Sequence, residues 1–195
     1  CNITDSCKYI LTMISMVLNT YRFESKQNSL YYEKFDLADT VIQCFKETSR
    51  EAKKKDISFV YQATEDNSFL EADKEEIKKV IINLLNNAIV YSSRGEKIVV
   101  TIECENNNLK LSVTSRGISL SNRECLNLFE RTSEKNPKFT TVGHGISLYL
   151  CKKIIDVHNG KIYASTDGNL VNTFTFVVPQ FRQNILPKVP APLYL

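Results

Sequence analysis

The feature that most constrains the fold is the amphipathic stretch DKEEIKKVIINLLNNAIVYS, from Asp73 to Ser92. Its apolar residues recur at every third or fourth position, which places them along one side of an α-helix and excludes a strand. They are Ile77, Val80, Ile81, Leu84, Leu85, Ala88 and Ile89. Asp73 and Glu76 have the spacing of an N-cap and a capping box. The stretch predicts a long helix with one side in the core.

Two asparagines, Asn83 and Asn87, lie one turn apart beside this apolar stripe. Asparagine is a poor helix former that prefers caps and turns, so a pair on one helix face suggests side chains kept for a ligand. The alternative is a solvated polar edge, and the helix taken alone does not decide between the two. Val90 continues the same row and is apolar.

Composition and charge argue against several classes of protein. A chain of 195 residues that is 43% hydrophobic can bury one core and a small second element. It has no run of ~18 apolar residues and no signal-peptide pattern, so we expect membrane attachment only through segments outside it. A net charge of +3 is too small to indicate a nucleic-acid partner. The 6 cysteines are scattered, with only 2 histidines, which argues against zinc and for a reducing, cytoplasmic setting.

The other segments predict helices interleaved with paired strands. Helical spacing predicts further helices over 5–24, 37–54, 123–131 and 146–158. β-branched and aromatic residues predict strands over 57–63, 68–71, 98–105, 109–115, 161–167 and 171–179. Asp36 is the expected cap of the second helix. We expect 68–71 to pair with 57–63, and the last four strands to form two hairpins. The pattern predicts an α/β (α+β) two-layer sandwich with helices on one face of a mixed sheet.

The chain divides into three parts on this interpretation. Residues 1–30 form a separate long helix, 31–180 one domain, and 181–195 a proline-containing tail or linker. The apolar stripe of the first helix lacks a partner inside the domain, so a second copy of the chain or a missing helix would cover it. Its members are Ile10, Ile14, Val17 and Leu18. Residues 133–145 have little periodicity and predict a mobile loop.

Three short motifs occur in a fixed order: NLLNNA at 83–88, SRGIS at 115–119 and GHGISL at 143–148. Together they resemble the N, G1 and G2 boxes of the ATPase domain of sensor histidine kinases. LFER at 128–131 is similar to the F box of that family. The resemblance extends over nearly the whole chain up to Pro179, because two flanking segments also match. These are 18–37, similar to the end of the second dimerisation helix and its link, and 152–166, similar to the helix, turn and strand after G2.

The resemblance implies a Bergerat-type (GHKL) ATPase fold in a two-component kinase, preceded by a long dimerisation helix. It implies that Asn87 holds the Mg²⁺ that bridges the phosphates of ATP, with Asn83 assisting. The glycines of G1 and G2 would let the backbone approach the nucleotide. The expected cofactors are ATP and Mg²⁺, and the expected partners are a second copy of the chain and a response regulator. The implied nucleotide-binding residues are Asn83, Asn87, Tyr91, Ser115, Gly117, Gly143 and Gly145.

Several positions depart from the family pattern. Position 115 carries serine where the family has an aspartate for the adenine amino group, and Val90 replaces a common basic residue. Ser119 and Ser147 replace glycines. A lost charge-assisted contact costs ~1.5–3 kcal/mol, or about ten- to a hundred-fold in affinity. The departures therefore indicate a degenerate G1 and G2 and a weakened nucleotide site.

The phosphoacceptor histidine of the family lies on a helix upstream of this chain. His144 falls in the loop and His158 at a helix end, where we expect ordinary polar residues, so no catalytic residue is assigned here. Two functions remain open: an ATP-binding catalytic domain that phosphorylates an upstream histidine, and a pseudo-histidine kinase that acts as a regulatory scaffold. A chaperone or mismatch-repair ATPase of the same fold is a third alternative, against which the match at 18–37 argues.

Overall fold

The computed structural model describes residues 14, 18, 21–23, 30–63, 68–130 and 144–181. Residues 14, 18 and 21–23 are helical and are called the N-terminal helix below. The other helices are α1 (Leu37–Lys54), α2 (Lys74–Tyr91), α3 (Asn122–Asn127) and α4 (His144–Val157). The strands are β1 (Glu33–Asp36), β2 (Ser58–Ala63), β3 (Phe69–Ala72), β4 (Lys97–Glu105), β5 (Asn108–Arg116), β6 (Lys161–Thr166) and β7 (Val171–Pro179).

Five of the strands form one mixed sheet in the order β2-β4-β5-β7-β6. β2 runs parallel to β4, and the other neighbours are antiparallel. Alternate residues of the central strands are buried towards the helices, among them Val100, Leu111 and Phe176. The opposite face carries hydroxyl pairs, Ser112 with Thr175 and Thr114 with Thr173, each at 3.0 Å. This division confirms the two-layer sandwich with helices on one face.

The predicted starts of α1 and α2 are confirmed, whereas α3 ends at Asn127 and does not extend to 131 as predicted. Asp36 caps α1 and accepts a hydrogen bond from the backbone nitrogen of Ala38 at 2.8 Å. Asp73 caps α2 and accepts from the backbone nitrogen of Glu76 at 3.2 Å. The predicted capping box of α2 is wrong, because the Glu76 side chain does not accept the backbone N–H of Asp73. The Glu76 carboxylate pairs with Arg22, and the Asp73 N–H donates to His158 instead.

The short segment before α2 pairs differently from our expectation. β3 pairs with β1 in a separate two-stranded antiparallel sheet, and not with β2. The cap of α1 explains this pairing, since Leu37 donates its N–H to the Ser68 carbonyl at 2.9 Å and the Ser68 hydroxyl donates to Asp36. These bonds hold the start of β3 beside β1. The sequence did not predict β1 itself.

The first hairpin is tighter than predicted. Asn106 and Asn107 alone form its turn, with φ of 50° and 60°, and Asn108 already belongs to β5. Two left-handed residues suit the turn whose twist matches an antiparallel pair. The second hairpin and α4 agree with prediction, and the left-handed residue after α4 is Asn159, with φ of 57°.

The N-terminal helix is attached to the domain at one end and exposed farther from it. Phe23 is buried in the main core, whereas Ile14, Leu18 and Tyr21 are 50%, 63% and 68% exposed. Among the residues described, no helix combines the length and apolar character needed to cross a membrane. Residues 133–143 of the predicted loop, the tail from 182 and most of the first helix lie outside the described residues. The last two positions of that predicted loop, 144 and 145, are instead the start of α4.

Candidate functional site

The side-chain amide of Asn87 is buried, and only one of its two polar atoms forms a hydrogen bond with a described residue. It is 2% exposed, and its Nδ2 donates to the backbone carbonyl of Asn83 at 2.8 Å. That donation fixes the orientation of the amide, so the other end is the oxygen. Among the described residues no group donates to Asn87 Oδ1. An unsatisfied buried acceptor costs about 1–3 kcal/mol, which a bound ligand or ion can recover.

Asn87 Oδ1 fits the Mg²⁺ that the sequence implied there. Mg²⁺ is a hard cation that takes oxygen ligands and is usually bound through one or two protein groups plus substrate phosphates. A neutral amide oxygen held at a fixed height on a helix, with no protein donor, supplies one such ligand.

Asn83 has a contact that the sequence did not predict. Its side chain hydrogen-bonds the thiol of Cys151 on α4, and burial raises the pKa of Cys151 to about 12. The thiol therefore stays protonated near neutral pH. Asn83 thus links the site helix to α4, and its predicted role at the nucleotide stays a prediction.

The C-terminal end of α2 is stabilised by Lys55, the residue that directly follows α1. The last turn of α2 contains no basic residue, so its carbonyls lack a nearby cation of their own. Lys55 Nζ supplies one, donating to the carbonyls of Val90 at 2.5 Å and Ser92 at 3.3 Å. A cation 35 positions away in the chain leaves no local signal in the sequence.

Gly117 of the G1 motif packs directly against this end of α2. It forms an isolated β-bridge with Ser92, and a Cβ at position 117 would lie 1.9 Å from the Tyr91 carbonyl oxygen. Only glycine permits that approach. The same carbonyl accepts the N–H of Ile118 at 3.1 Å, and Tyr91 itself is half-buried. The structure therefore brings two predicted residues, Tyr91 and Gly117, together.

Ser115 is buried near the end of β5, opposite Asn172 of β7. Asn172 was not predicted, and both ends of its buried amide hold the G1 segment. Its Nδ2 donates to the Ile118 carbonyl at 2.7 Å, and its Oδ1 accepts the Leu120 N–H at 3.2 Å. A single asparagine in an otherwise ordinary strand gave no sign of this long-range contact.

Of the remaining predicted positions that the structure describes, two lie on α4 and one lies beside Asn87. Gly145 lies in the first turn of α4, and Gly143 lies outside the described residues. Val90 is 40% exposed on the row that contains Asn83 and Asn87. Ser147, which replaces a glycine of G2, is buried.

The comparisons with known proteins agree on one family. The sequence profile described as "Histidine kinase-, DNA gyrase B-, and HSP90-like ATPase" matches residues 72–182. A relative from Synechocystis sp. (strain ATCC 27184 / PCC 6803 / Kazusa), the adaptive-response sensory kinase SasA, is 30% identical over 148 residues. That match covers 75% of this chain and 38% of the relative. The chain thus spans less than half the length of the curated relatives it matches.

Solved structures give the same result. The catalytic domain of the histidine kinase ThkA superimposes with a TM-score of 0.68 at 27% identity, covering 77% of this chain and 97% of that domain. ThkA in complex with the response regulator protein TrrA superimposes with a TM-score of 0.74 at 27% identity, covering 92% of this chain and 49% of that one.

Proposed function

Because this chain belongs to the family of histidine kinase-, DNA gyrase B- and HSP90-like ATPases, we propose that residues 31–180 are the ATP-binding catalytic domain of a sensor histidine kinase. The domain would bind Mg-ATP and present the γ-phosphoryl group to a histidine outside this chain. No residue described here is assigned as the phosphoacceptor. Since ATP is its phosphoryl donor, we expect it to work in the cytoplasm, with any membrane anchor contributed by other segments.

The observation that carries the proposal is the unsatisfied oxygen of Asn87. A buried amide that donates through Nδ2 and leaves Oδ1 without a described donor is suited to a ligand that accepts an oxygen lone pair. Mg²⁺ bound with the nucleotide would neutralise phosphate charge. The chain's own contribution is to hold that oxygen in place, through the Asn83 carbonyl and the packing of α2 against α4.

The G1 segment would hold the other end of the nucleotide. Gly117 keeps it close to the end of α2, and Asn172 fixes the residues that follow. Ser115 lies at the position where the family contacts the adenine amino group. A serine hydroxyl can accept that bond, without the charge that roughly doubles its strength.

The test is a calorimetric titration with ATP in the presence and absence of Mg²⁺. Asn87→Ala should weaken binding by about ten- to a hundred-fold with Mg²⁺ and leave the Mg²⁺-free affinity nearly unchanged. Asn86 is the matched control, because it is the exposed neighbour on the same helix. Asn86→Ala should bind as the wild type does under both conditions. Equal effects of the two substitutions, or a loss that does not require Mg²⁺, would contradict the assignment of Asn87.

The second candidate function is a pseudo-histidine kinase, favoured by Val90 and Ser115. Val90 places a partly exposed isopropyl group where a cation would approach phosphate, and Ser115 has no charge. On this alternative the wild type binds Mg-ATP only at high micromolar to millimolar concentrations. The double substitution Ser115→Asp with Val90→Lys should then strengthen binding by about a hundred-fold or more. Tight wild-type binding would reject the alternative.

We also propose that the chain forms a homodimer through the N-terminal helix. Ile14, Leu18 and Tyr21 are spaced by four and three residues, share one helix face and are each at least half exposed. Light scattering at high protein concentration should show a dimer that Ile14→Glu abolishes, and a monomer at every concentration would contradict it. A response regulator is the expected second partner, by analogy with ThkA and TrrA.

A further inference from the structure

His158 lies just after α4, where the sequence predicted an ordinary polar helix end, and it is instead buried with 5% of its surface exposed. Both ring nitrogens are engaged. Nδ1 lies 2.7 Å from the backbone carbonyl oxygen of Ile154, and Nε2 lies 3.1 Å from the backbone nitrogen of Asp73.

These two partners determine the tautomer of the ring. A carbonyl oxygen can only accept, so Nδ1 must carry the proton and donate it to Ile154. The Asp73 N–H can only donate, so Nε2 must be unprotonated. His158 is therefore neutral, with its proton on Nδ1, whenever both bonds are present.

The ring joins three parts of the domain. Ile154 belongs to α4, and Asp73 is the cap of α2, which carries the asparagines of the site. Tyr32, from the link after the N-terminal helix, packs on the imidazole with its ring centroid 5.6 Å away. The neighbouring Tyr31 donates its backbone N–H to Asp73 Oδ2 at 3.0 Å.

We propose that His158 is a positioning residue for α2: its neutral ring fixes the start of the site helix to α4 and to the link from the N-terminal helix, and protonation releases that attachment. A proton on Nε2 would face the Asp73 N–H, so two donors would meet and the bond could not persist. The ring or the first turn of α2 would then have to move.

The charges around the ring decide the pH at which this occurs. Burial lowers the pKa of His158 below its ordinary value of 6.5, while the Ile154 carbonyl and the carboxylates of Asp73 and Glu76 act in the opposite direction. Between that lowered pKa and 6.5 the unfolded chain binds more protons than the folded one. The contribution of His158 to stability is therefore complete above pH 6.5 and is lost as the pH falls towards its folded pKa.

The experiment is NMR spectroscopy on the whole chain between pH 5 and 8. The chain has 2 histidines, and His144→Gln identifies the His158 signals. We expect the Nδ1-protonated tautomer at pH 7.5 and a titration midpoint below 6.5. The protection of the Asp73 amide against hydrogen exchange should fall by up to about tenfold per pH unit between pH 6.5 and that midpoint, and it should level off below the midpoint.

His158→Gln provides the matched variant, because glutamine keeps one donor and one acceptor and does not titrate. It should retain the Asp73 protection of the wild type at pH 7.5 and lose its pH dependence, whereas His144→Gln should preserve both. The proposal would be overturned by a proton on His158 Nε2 at pH 7.5 or by a titration midpoint at or above 6.5. It would also be overturned if the exchange protection of the Asp73 amide did not change as His158 titrates. These readouts do not require nucleotide binding, so the proposal can fail independently of the proposed function.

Discussion

The two ends of α2 are held in different ways, although they belong to one helix. At the N-terminal end the contacts come from side chains. Arg22 Nη2 pairs with Glu76 Oε1 at 2.5 Å, and His158 accepts the Asp73 N–H. Each of these contacts can be lost by a rotamer change or by a change of charge.

At the C-terminal end the contacts are mainly between backbones. The Tyr91 carbonyl accepts the Ile118 N–H, Ser93 donates its N–H to the Arg116 carbonyl at 3.0 Å, and Gly117 leaves no room for a side chain. The end of α2 beside G1 is therefore fixed by the fold, whereas the end beside the N-terminal helix is adjustable. A structural change in α2 should therefore begin at its first turn more readily than at its last.

The largest expected effect tests the fixed end. Gly117→Ala would place a Cβ 1.9 Å from the Tyr91 carbonyl oxygen, so α2 and G1 must separate. We expect the free energy of unfolding, measured with urea, to fall by about 3 kcal/mol. Gly168→Ala is the control, because a Cβ at position 168 would contact no other atom. Its only cost is the left-handed backbone, with φ of +77°, which should lower the free energy of unfolding by about 1 kcal/mol. Equal losses would mean that the C-terminal end of α2 can shift.

The second prediction concerns the adjustable end. The side chain of Glu76 is 8% exposed, and Arg22 and Lys79 both donate to its Oε1. Arg22→Met should lower the free energy of unfolding by about 1 kcal/mol, since Arg22 is 46% exposed and Lys79 remains. The loss should shrink in high salt. Lys54→Met removes an exposed pair with Glu51 and should change stability by less than about 0.5 kcal/mol. A loss that salt does not alter would show that Arg22 acts through packing.

The smallest effect concerns the lysine that contacts the fixed end. Lys55→Met removes the cation from the last carbonyls of α2, which should cost about 0.5 kcal/mol in urea unfolding at neutral pH. Lys46→Met, at an exposed position of α1, should cost less. If Lys55→Met lowered the free energy of unfolding by more than Arg22→Met does, side-chain contacts would matter more at the C-terminal end of α2 than at its N-terminal end.

Periodicity and capping were enough to predict the helices and most strands. Asp36 and Asp73 cap α1 and α2 as expected, since a cap depends on neighbours within one turn. The predicted pairing of 68–71 with 57–63 was wrong because two four-residue strands have too little pattern to specify a partner. Their pairing depends on the contact between Ser68 and Asp36, which are 32 positions apart.

The sequence predicted residues of the candidate site only where they lie in or next to a recognised motif. Asn87 lies in the N box, Tyr91 follows that box and Gly117 lies in G1, and the structure adds the contacts that hold them. Asn172 and His158 contact residues that are 54 and 85 positions away in the chain, so no local sequence pattern predicts these contacts. The sequence shows that His158 follows a helix, and only the fold shows that it is buried.

The polar face of the sheet has a consequence for the proposed dimer. Two domains attached to one helical stem would share an effective concentration on the order of millimolar. At that effective concentration, two apolar sheet faces would associate and would prevent the two domains from moving relative to each other. The described part of this face is polar: Thr114 bonds Thr173, Ser112 bonds Thr175 in a buried contact, and Lys110 forms a partly exposed ion pair with Glu103. Such a polar face would not make the two sheets adhere, and each domain of the proposed dimer would stay free to rotate about the helix that carries it.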